Sequence, residues 1–464
     1  MVNYVSDVAA SVGALPYFSP VEGLDSAAIA RLQDARLRQQ FEYLWARSPF
    51  YQRKFSAAGL GVDSVRSVDD LQKVPFTHKQ ELRDSLKAAP PFGEHLAADL
   101  ADVIQMQASS GTTGSPSYVA LTRQDATMWQ ETSARSLFAC GIRPGDLVLH
   151  GFSMSKGFVG GLPIFQALQY MGAVDIPVGA DGGVDRLLAA AFDLRPQAVV
   201  GTPNFLLHLA EASQTLLGRD LREIGVRRLV VGGEPGGGIP ALRQRIETAW
   251  GAKSCELMGG TDLAVIYWAE CDQQQGMHMT APDHIVAELI DPETGAVKPF
   301  VEGATGELVY TAIQRQASPV FRFRSGDHVV VTGTDCACGR RQPRIRCFGR
   351  TDDMLIVRGV NLFPSAVQDL IEAMRPTVSG QVRVVADFEG HSTQARLKLL
   401  VERAEQEPPG LSLPALKNDI EARVRGALSV KAEVLLAPHG SIEKPGAAKV
   451  KLVLRAMPAI EGLA

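Results

Sequence analysis

The chain has 464 residues, with 47 Lys and Arg against 51 Asp and Glu, 45% apolar and 21% charged residues, and a mean hydropathy of +0.01. These are values of a soluble globular protein, long enough for about three domains or for one large core with a satellite. A net charge of −4 gives no reason to expect nucleic acid or an anionic membrane as a partner.

The first residues, Met1 to Asp7, lack the basic and apolar regions of a secretory signal, and no apolar run reaches spanning length. A cytoplasmic protein is therefore expected. Cysteines at 140, 255, 271, 336, 338 and 347 are few for this length and argue against a disulfide framework. Metal ligation is the better use for any that cluster.

Residues 25 to 60 repeat apolar side chains at helical spacing, among them Leu32, Leu37, Phe41 and Leu44, and short helices are expected from Ser64 to Leu86. Next comes Ser109-Ser110-Gly111-Thr112-Thr113-Gly114-Ser115-Pro116. Its glycines permit tight turns and its hydroxyls add donors to backbone amides that can converge on an anion. A Gly-Lys-Ser/Thr ending is absent, so this is no Walker A loop. Alone, such a run is more often an ordinary solvated loop than a phosphate site.

Beyond it strands and helices alternate, the signature of a parallel sheet covered by helices. Strands are expected at Leu147 to Phe152, Ala173 to Val178, Ala198 to Thr202 and Arg228 to Gly232. Helices are expected at Val184 to Phe192, Asn204 to Gln214 and Pro240 to Trp250. Gly232 to Gly238 and Met258-Gly259-Gly260-Thr261-Asp262 fall at strand ends, where such sheets bind ligands. From His284 to Thr332 short extended runs predict a small antiparallel sheet or barrel. A composition shift near Asp352 opens a compact α+β region of about a hundred residues.

The ordered boxes resemble the adenylate-forming superfamily, and within it the phenylacetate-coenzyme A ligase family, over nearly the whole chain. They include Pro75-Phe76-Thr77, Leu82-Arg83, Ala108 to Gly114, Gly233-Glu234-Pro235, Met258 to Asp262, Phe321 to Asp327, Gly349 to Met354 and Gly359 to Pro364. The fold this implies is α/β: a large N-terminal domain, 1–351, of helix-covered, mainly parallel sheets with a small antiparallel region, and a small mobile α+β lid, 352–464.

The resemblance implies an ATP-dependent aryl- or arylacetyl-CoA ligase. An aromatic carboxylate would attack the α-phosphorus of ATP, releasing pyrophosphate, and the thiol of coenzyme A would then take the acyl group from the adenylate, releasing AMP. Ser109, Ser110, Gly111, Thr112, Thr113 and Gly114 would hold the β and γ phosphates. Thr261 would meet the α-phosphate and Asp262 would supply a hard oxygen ligand to Mg²⁺. Gly233, Glu234 and Pro235 would wall the adenine slot beside Met258. Asp327 and Arg350 would bind the ribose, Asp352 would be the hinge, and Lys449 would reach the reacting carboxylate, with Lys451 as the alternative.

This sequence departs from the family pattern in several places. Ser115 stands for the usual cradle lysine, Met258 for an adenine-stacking aromatic and Asp262 for a glutamate, and Ala447-Ala448 precede Lys449 where glycine is usual. The departures leave room for an enzyme that loads a carrier-protein thiol or an amine; a degenerate nucleotide-binding module is a third reading. Cys271, His278, Cys336 and Cys338 offer three thiolates and an imidazole, enough for a closed, structural zinc site similar to one carried by some family members. Family members are often dimers, so a homodimer is compatible, though no stretch of this sequence reads as an interface.

Overall fold

The computed structural model describes residues 17–464 except 110–116, 156, 235, 359, 408–409 and 444–450; of Asp352 and Asn361 the backbone alone is described. Among these residues no helix is long and apolar enough to cross a membrane.

Helices α1 (Ser26–Arg47), α2 (Pro49–Ala57) and α3 (Lys79–Ala88) lead in. The first two bury Leu37, Phe41, Leu44, Tyr51 and Phe55 against Phe321, so the amphipathic stripe of the sequence faces the main body. An antiparallel pair, β1 (Val103–Ala108) and β2 (Tyr118–Thr122), follows. The main sheet then runs through β3 (Leu147–His150), β4 (Val174–Ile176), β5 (Ala198–Gly201), β6 (Arg228–Gly232), β7 (Lys253–Gly260), β8 (Ala264–Ala269) and β9 (Met277–Met279). It continues with β10 (Ile285–Ile290), β11 (Val297–Lys298), β12 (Thr305–Ala312), β13 (Phe323–Gly333) and β14 (Arg344–Arg350).

These strands form one 12-stranded sheet in the order β11-β10-β12-β13-β14-β9-β8-β7-β6-β5-β3-β4. From β4 to β7 all pairings are parallel, and from β7 outward all are antiparallel. The expected antiparallel region is thus not set apart. Pairing of β14 with β9 stitches it to the parallel half, a long-range contact that local pattern does not encode.

Helix α4 (Arg123–Ala139) packs on β8, while α5 (Leu162–Met171), α6 (Val184–Leu194), α7 (Pro203–Ala212) and α8 (Pro240–Trp250) cover the parallel half. Proline at the first turn of α5, α7 and α8 costs no internal hydrogen bond and presets the backbone. Strand β5 is buried along its whole length, as covering on both faces requires. Helix α4 is buried from Thr132 through Ala139, so it shows no amphipathic stripe and escaped the periodicity reading.

Past the turn Thr351–Asp353 lies a second core, in which α9 (Pro364–Glu372) and α10 (Leu413–Leu428) pack on a sheet of strands Val378–Val385, Leu397–Arg403, Ala432–Ala437 and Val453–Leu454. It touches the main body through an Arg245–Glu372 ion pair, a Ser365 hydroxyl donating to the Phe348 carbonyl, and Phe363 edge-on to Phe348 with centroids 5.1 Å apart.

Candidate functional site

Strands β6 and β7 are parallel neighbours, with Gly232 beside Leu257, so the two glycine-rich strand ends emerge side by side. Gly233 has φ +84, a backbone conformation that favours glycine. Glu234 accepts from the Asn204 amide (3.1 Å) and side chain (3.0 Å), which fixes this loop on the start of α7. Pro235 lies outside the described residues.

Below the loop, Glu256 is buried on β7. A Cβ on Gly238 would meet its carboxylate oxygen at 2.6 Å, so any larger residue there would have to push the Glu256 side chain aside. Burial and the neighbouring Glu270 carboxylate push Glu256 up to about 7, against the opposing pull of Arg243 and the Gly238 amide.

Met258 is half-buried two residues on, across from Trp268 of β8. Gly259 approaches β8 so closely that a Cβ would lie 1.7 Å from the Val265 carbonyl. The turn beyond presents Thr261, buried, and Asp262, whose carboxylate meets Lys79 of α3 at 3.5 Å. Two buried donors hold the turn by its Leu263 carbonyl: the Trp129 indole at 2.8 Å and the Arg315 guanidinium. Burial pushes Arg315 down, while Asp125 and Asp262 hold it up.

Asp327 of β13 sits opposite Arg350 of β14 in the ladder, and the two side chains form an ion pair. Arg350 also donates to the Ser325 carbonyl at 3.0 Å, and the Asp327 amide donates to the Ser325 hydroxyl at 3.0 Å. Next to them the His328 ring meets the Thr351 hydroxyl at 2.8 Å. The buried Tyr267 hydroxyl joins this half to the other: burial pushes it well above the usual phenol range, and the charges of Asp327 and Asp262 push it further.

Ser109 and Ser117 clamp the ends of the Ser/Thr/Gly run. The Ser109 amide donates to the Ser117 carbonyl and the Ser117 amide to the Ser109 hydroxyl, each at 2.9 Å. Ser110, Gly111, Thr112, Thr113 and Gly114 lie outside the described residues, as does Lys449; Lys451 is exposed. The backbone of Asp352 lies in the Thr351–Asp353 turn.

A second cluster forms where β8, β9 and the β13–β14 connection meet. Ligand atoms of Cys271, His278, Cys336 and Cys338 all lie within 4.8 Å of one another, with Cys271 Sγ 3.7 Å from Cys336 Sγ and Cys338 Sγ 3.5 Å from His278 Nε2. A zinc tetrahedron with sulfur bonds of about 2.3 Å has edges of about 3.8 Å, so this donor set fits that ion. A hydrogen bond from the Cys271 thiol, aided by His278, holds Cys338 well below the usual thiol range. The loop is braced from outside: Arg340 meets buried Glu22 at 2.9 Å, and the Tyr17 hydroxyl donates to the Gly339 carbonyl at 3.0 Å.

Sequence reasoning passed over Lys79, Trp129, Arg315, Tyr267 and the Glu22–Arg340 pair. Lys79 follows closely on Pro75-Phe76-Thr77 and could have been singled out there; the others are ordinary core residues until the fold places them.

The chain belongs to the AMP-binding enzyme family. The model described as "AMP-binding enzyme" matches residues 29–314 and that described as "AMP-binding enzyme C-terminal domain" matches 359–455. Within it the chain is a member of the phenylacetate-coenzyme A ligase family. The phenylacetate-coenzyme A ligase of Thermus thermophilus is 33% identical, over 94% of this chain and 99% of the relative. That of Escherichia coli K12 is 30% identical, over 92% and 94%. A crystal structure of 2-hydroxyisobutyryl-CoA ligase in its postadenylation state superposes with a TM-score of 0.87 at 30% identity, covering 96% of this chain and 93% of the other. In the thioesterification state the TM-score is 0.70 at 31% identity, over 95% and 92%.

Proposed function

We propose that the protein is an ATP-dependent, AMP-forming acid–CoA ligase, an acid–thiol ligase that activates an aromatic carboxylic acid as its adenylate and passes the acyl group to coenzyme A. The observation that carries this reading is the pairing of Asp327 with Arg350 on β13 and β14, in the same sheet as the Thr261–Asp262 turn between β7 and β8. Relatives named as coenzyme A ligases over more than nine-tenths of the chain support it.

The chemistry asks for positioning and charge rather than for a protein nucleophile. The acid oxygen bonds to the α-phosphorus as the bond to pyrophosphate breaks; the coenzyme A sulfur then bonds to the acyl carbon as AMP leaves. Asp327, an acceptor when ionised, would take the ribose hydroxyls and Arg350 would flank the sugar. Thr261 would donate to the α-phosphate, and the Gly233–Pro235 segment with Met258 would border the adenine. Asp262 would hold Mg²⁺, which offsets phosphate charge when bound. Lys449, with Lys451 as the alternative, would face the carboxylate, and Asp352 would be the hinge between units 1–351 and 352–464. The structure lies nearer the postadenylation state of 2-hydroxyisobutyryl-CoA ligase than its thioesterification state, and in this reading the C-terminal unit would turn between two such arrangements.

The aromatic character of the acid rests on the likeness to relatives named phenylacetate-coenzyme A ligase; Phe152 and Phe158, with ring centroids 6.4 Å apart, are candidates for its pocket, although Phe152 also packs in the core. We assign zinc to Cys271, His278, Cys336 and Cys338 as a structural ion, since four protein ligands leave no open position.

The test is pyrophosphate release with Mg²⁺-ATP across benzoates, hydroxybenzoates, phenylacetates and 2-hydroxyisobutyrate, each with and without coenzyme A. Turnover requiring an aromatic acid and coenzyme A is expected. Adenylation indifferent to coenzyme A would favour a carrier-protein loader, and turnover with the hydroxy acid alone would overturn the aromatic assignment.

A further inference from the structure

Strand β3 ends in a buried histidine, and both nitrogens of its ring face oxygen. His150 Nδ1 lies 3.0 Å from the Asp175 carboxyl on the neighbouring strand β4, and Nε2 lies 2.9 Å from the Gly160 carbonyl. A carbonyl can only accept, so Nε2 carries a proton and donates it to Gly160. Both side chains are wholly enclosed, and the second carboxyl oxygen of Asp175 has no partner among the described residues. Such a buried pair stabilises no better than apolar side chains of similar volume, whereas it fixes a geometry that apolar packing leaves free.

What it fixes lies past the carboxyl end of β3, the side on which parallel sheets of this kind bind ligands. Space around Gly160 is tight: a Cβ there would lie 2.4 Å from the Phe158 ring and 3.2 Å from the Phe152 ring, and one on Gly161 would lie 2.6 Å from the Ser153 carbonyl. The place of Gly160 therefore sets the place of both rings. Phe152 in turn reaches the glycine loop after β6, with a ring atom 3.7 Å from where a Cβ on Gly233 would stand. Other ties hold the neighbouring backbone. Asp181, beyond β4, accepts from the Ser153 hydroxyl (2.7 Å) and from the Met154 and Ser155 amides (2.9 and 3.1 Å), and the Ala108 amide of β1 donates to the Gly157 carbonyl at 2.9 Å. At Gly160 the hold comes from His150.

We propose that His150 and Asp175 are the positioning pair of the acid pocket: Asp175 fixes the imidazole ring, and His150 Nε2 holds the Gly160 carbonyl so that Phe152 and Phe158 stand where the carbon frame of the acid packs. The inference rests on the ligase reading above and adds to it two residues that touch neither substrate. A pair that served the fold alone would affect both substrates alike.

The experiment is steady-state kinetics and equilibrium denaturation of the full chain, His150→Asn and His150→Gln, varying in turn ATP and phenylacetate, or whichever acid of the panel above the parent uses best. Asparagine keeps a polar group towards Asp175 but is too short to reach Gly160; glutamine places its amide near the position of Nε2 and restores the donor. His150→Asn should raise KM for the acid about tenfold, the worth of a buried hydrogen bond whose acceptor is left unsatisfied. KM for ATP should shift less than about twofold, and kcat at saturating acid should hold within about threefold. His150→Gln should recover most of the rise in acid KM. Equal rises in both KM values, or a lowered denaturation midpoint with neither KM changed, would overturn the proposal, and so would a His150→Gln no better than His150→Asn. A parent that releases no pyrophosphate with any acid of the panel would sink the ligase reading itself, whereas a working parent with an indifferent His150→Asn sinks only this inference. Should His150→Asn fold poorly, Asp175→Asn leaves the ring in place and removes the carboxyl that orients it, and the same acid-against-ATP contrast decides.

Discussion

The cluster proposed to meet the nucleotide and the Cys/His cluster are built on the same strands, yet they are organised oppositely. At the first, charges are partly exposed and satisfy one another: Asp262 with Lys79, Asp327 with Arg350. At the second, the ligand atoms crowd within 4.8 Å and the loop is locked by an ion pair whose two side chains are 4% and 1% exposed. Half-exposed pairs are weak and exchange partners cheaply, whereas a buried pair is costly to break because each charge left alone is desolvated. One site is suited to occupants that come and go; the other is suited to one that stays.

The contrast predicts that stability and activity separate by site. The largest effect should come from Cys338→Ser. Removing one thiolate from a closed four-ligand set should release the ion and cost upwards of about 4 kcal/mol, since bound metal contributes directly to folding. Zinc content by atomic absorption and the denaturation midpoint measure both. A variant that keeps its midpoint with no zinc bound would show that the packing around Glu22 and Arg340 holds this corner unaided.

Asp327→Asn should do the reverse. Its partner Arg350 is 41% exposed, so stability should move by less than about 1 kcal/mol. Loss of a charged acceptor for the ribose should lower adenylation kcat/KM by about a hundredfold. Parallel loss of stability and activity would erase the distinction between the two clusters.

How much of this the sequence could reveal depended on whether the cause was local. The alternation that produces β3 to β7 with α6, α7 and α8 is a matter of period, proline starts and glycine ends, and all are visible in short windows. The Cys-x-Cys pair is equally legible, because two thiols that close can scarcely avoid sharing an environment. The ladder that sets Asp327 opposite Arg350 is a register between strands separated by a long loop, and family likeness alone brought those residues forward. The joining of the antiparallel strands to the parallel half through β9 and β14 left no local trace. Lys79 was hidden for the same reason: its partner Asp262 lies far along the chain.

The smallest effect lies between the two clusters, at Glu256. Its carboxyl supports the glycine loop at Gly238, while Glu270, which accepts from the Glu256 amide at 2.9 Å and from Arg243 at 2.6 Å, immediately precedes Cys271. With the folded value raised to about 7, the native protein holds a proton that the unfolded chain has already lost above the ordinary carboxyl range. Stability contributed by this group is therefore present at low pH and falls as pH rises through about 7. Glu256→Gln keeps the shape and an acceptor for Gly238 but removes the charge. It should leave stability near the parent's at pH 5 and exceed it at pH 8 by about 2 kcal/mol, flattening that part of the pH profile. Chemical denaturation at the two pH values reads the difference. Equal gains at both would mean that the carboxyl ionises at its ordinary value, with Arg243 neutralising it. A loss at both would mean that the loop depends on the carboxylate itself, placing Glu256 with the supports of the proposed nucleotide site.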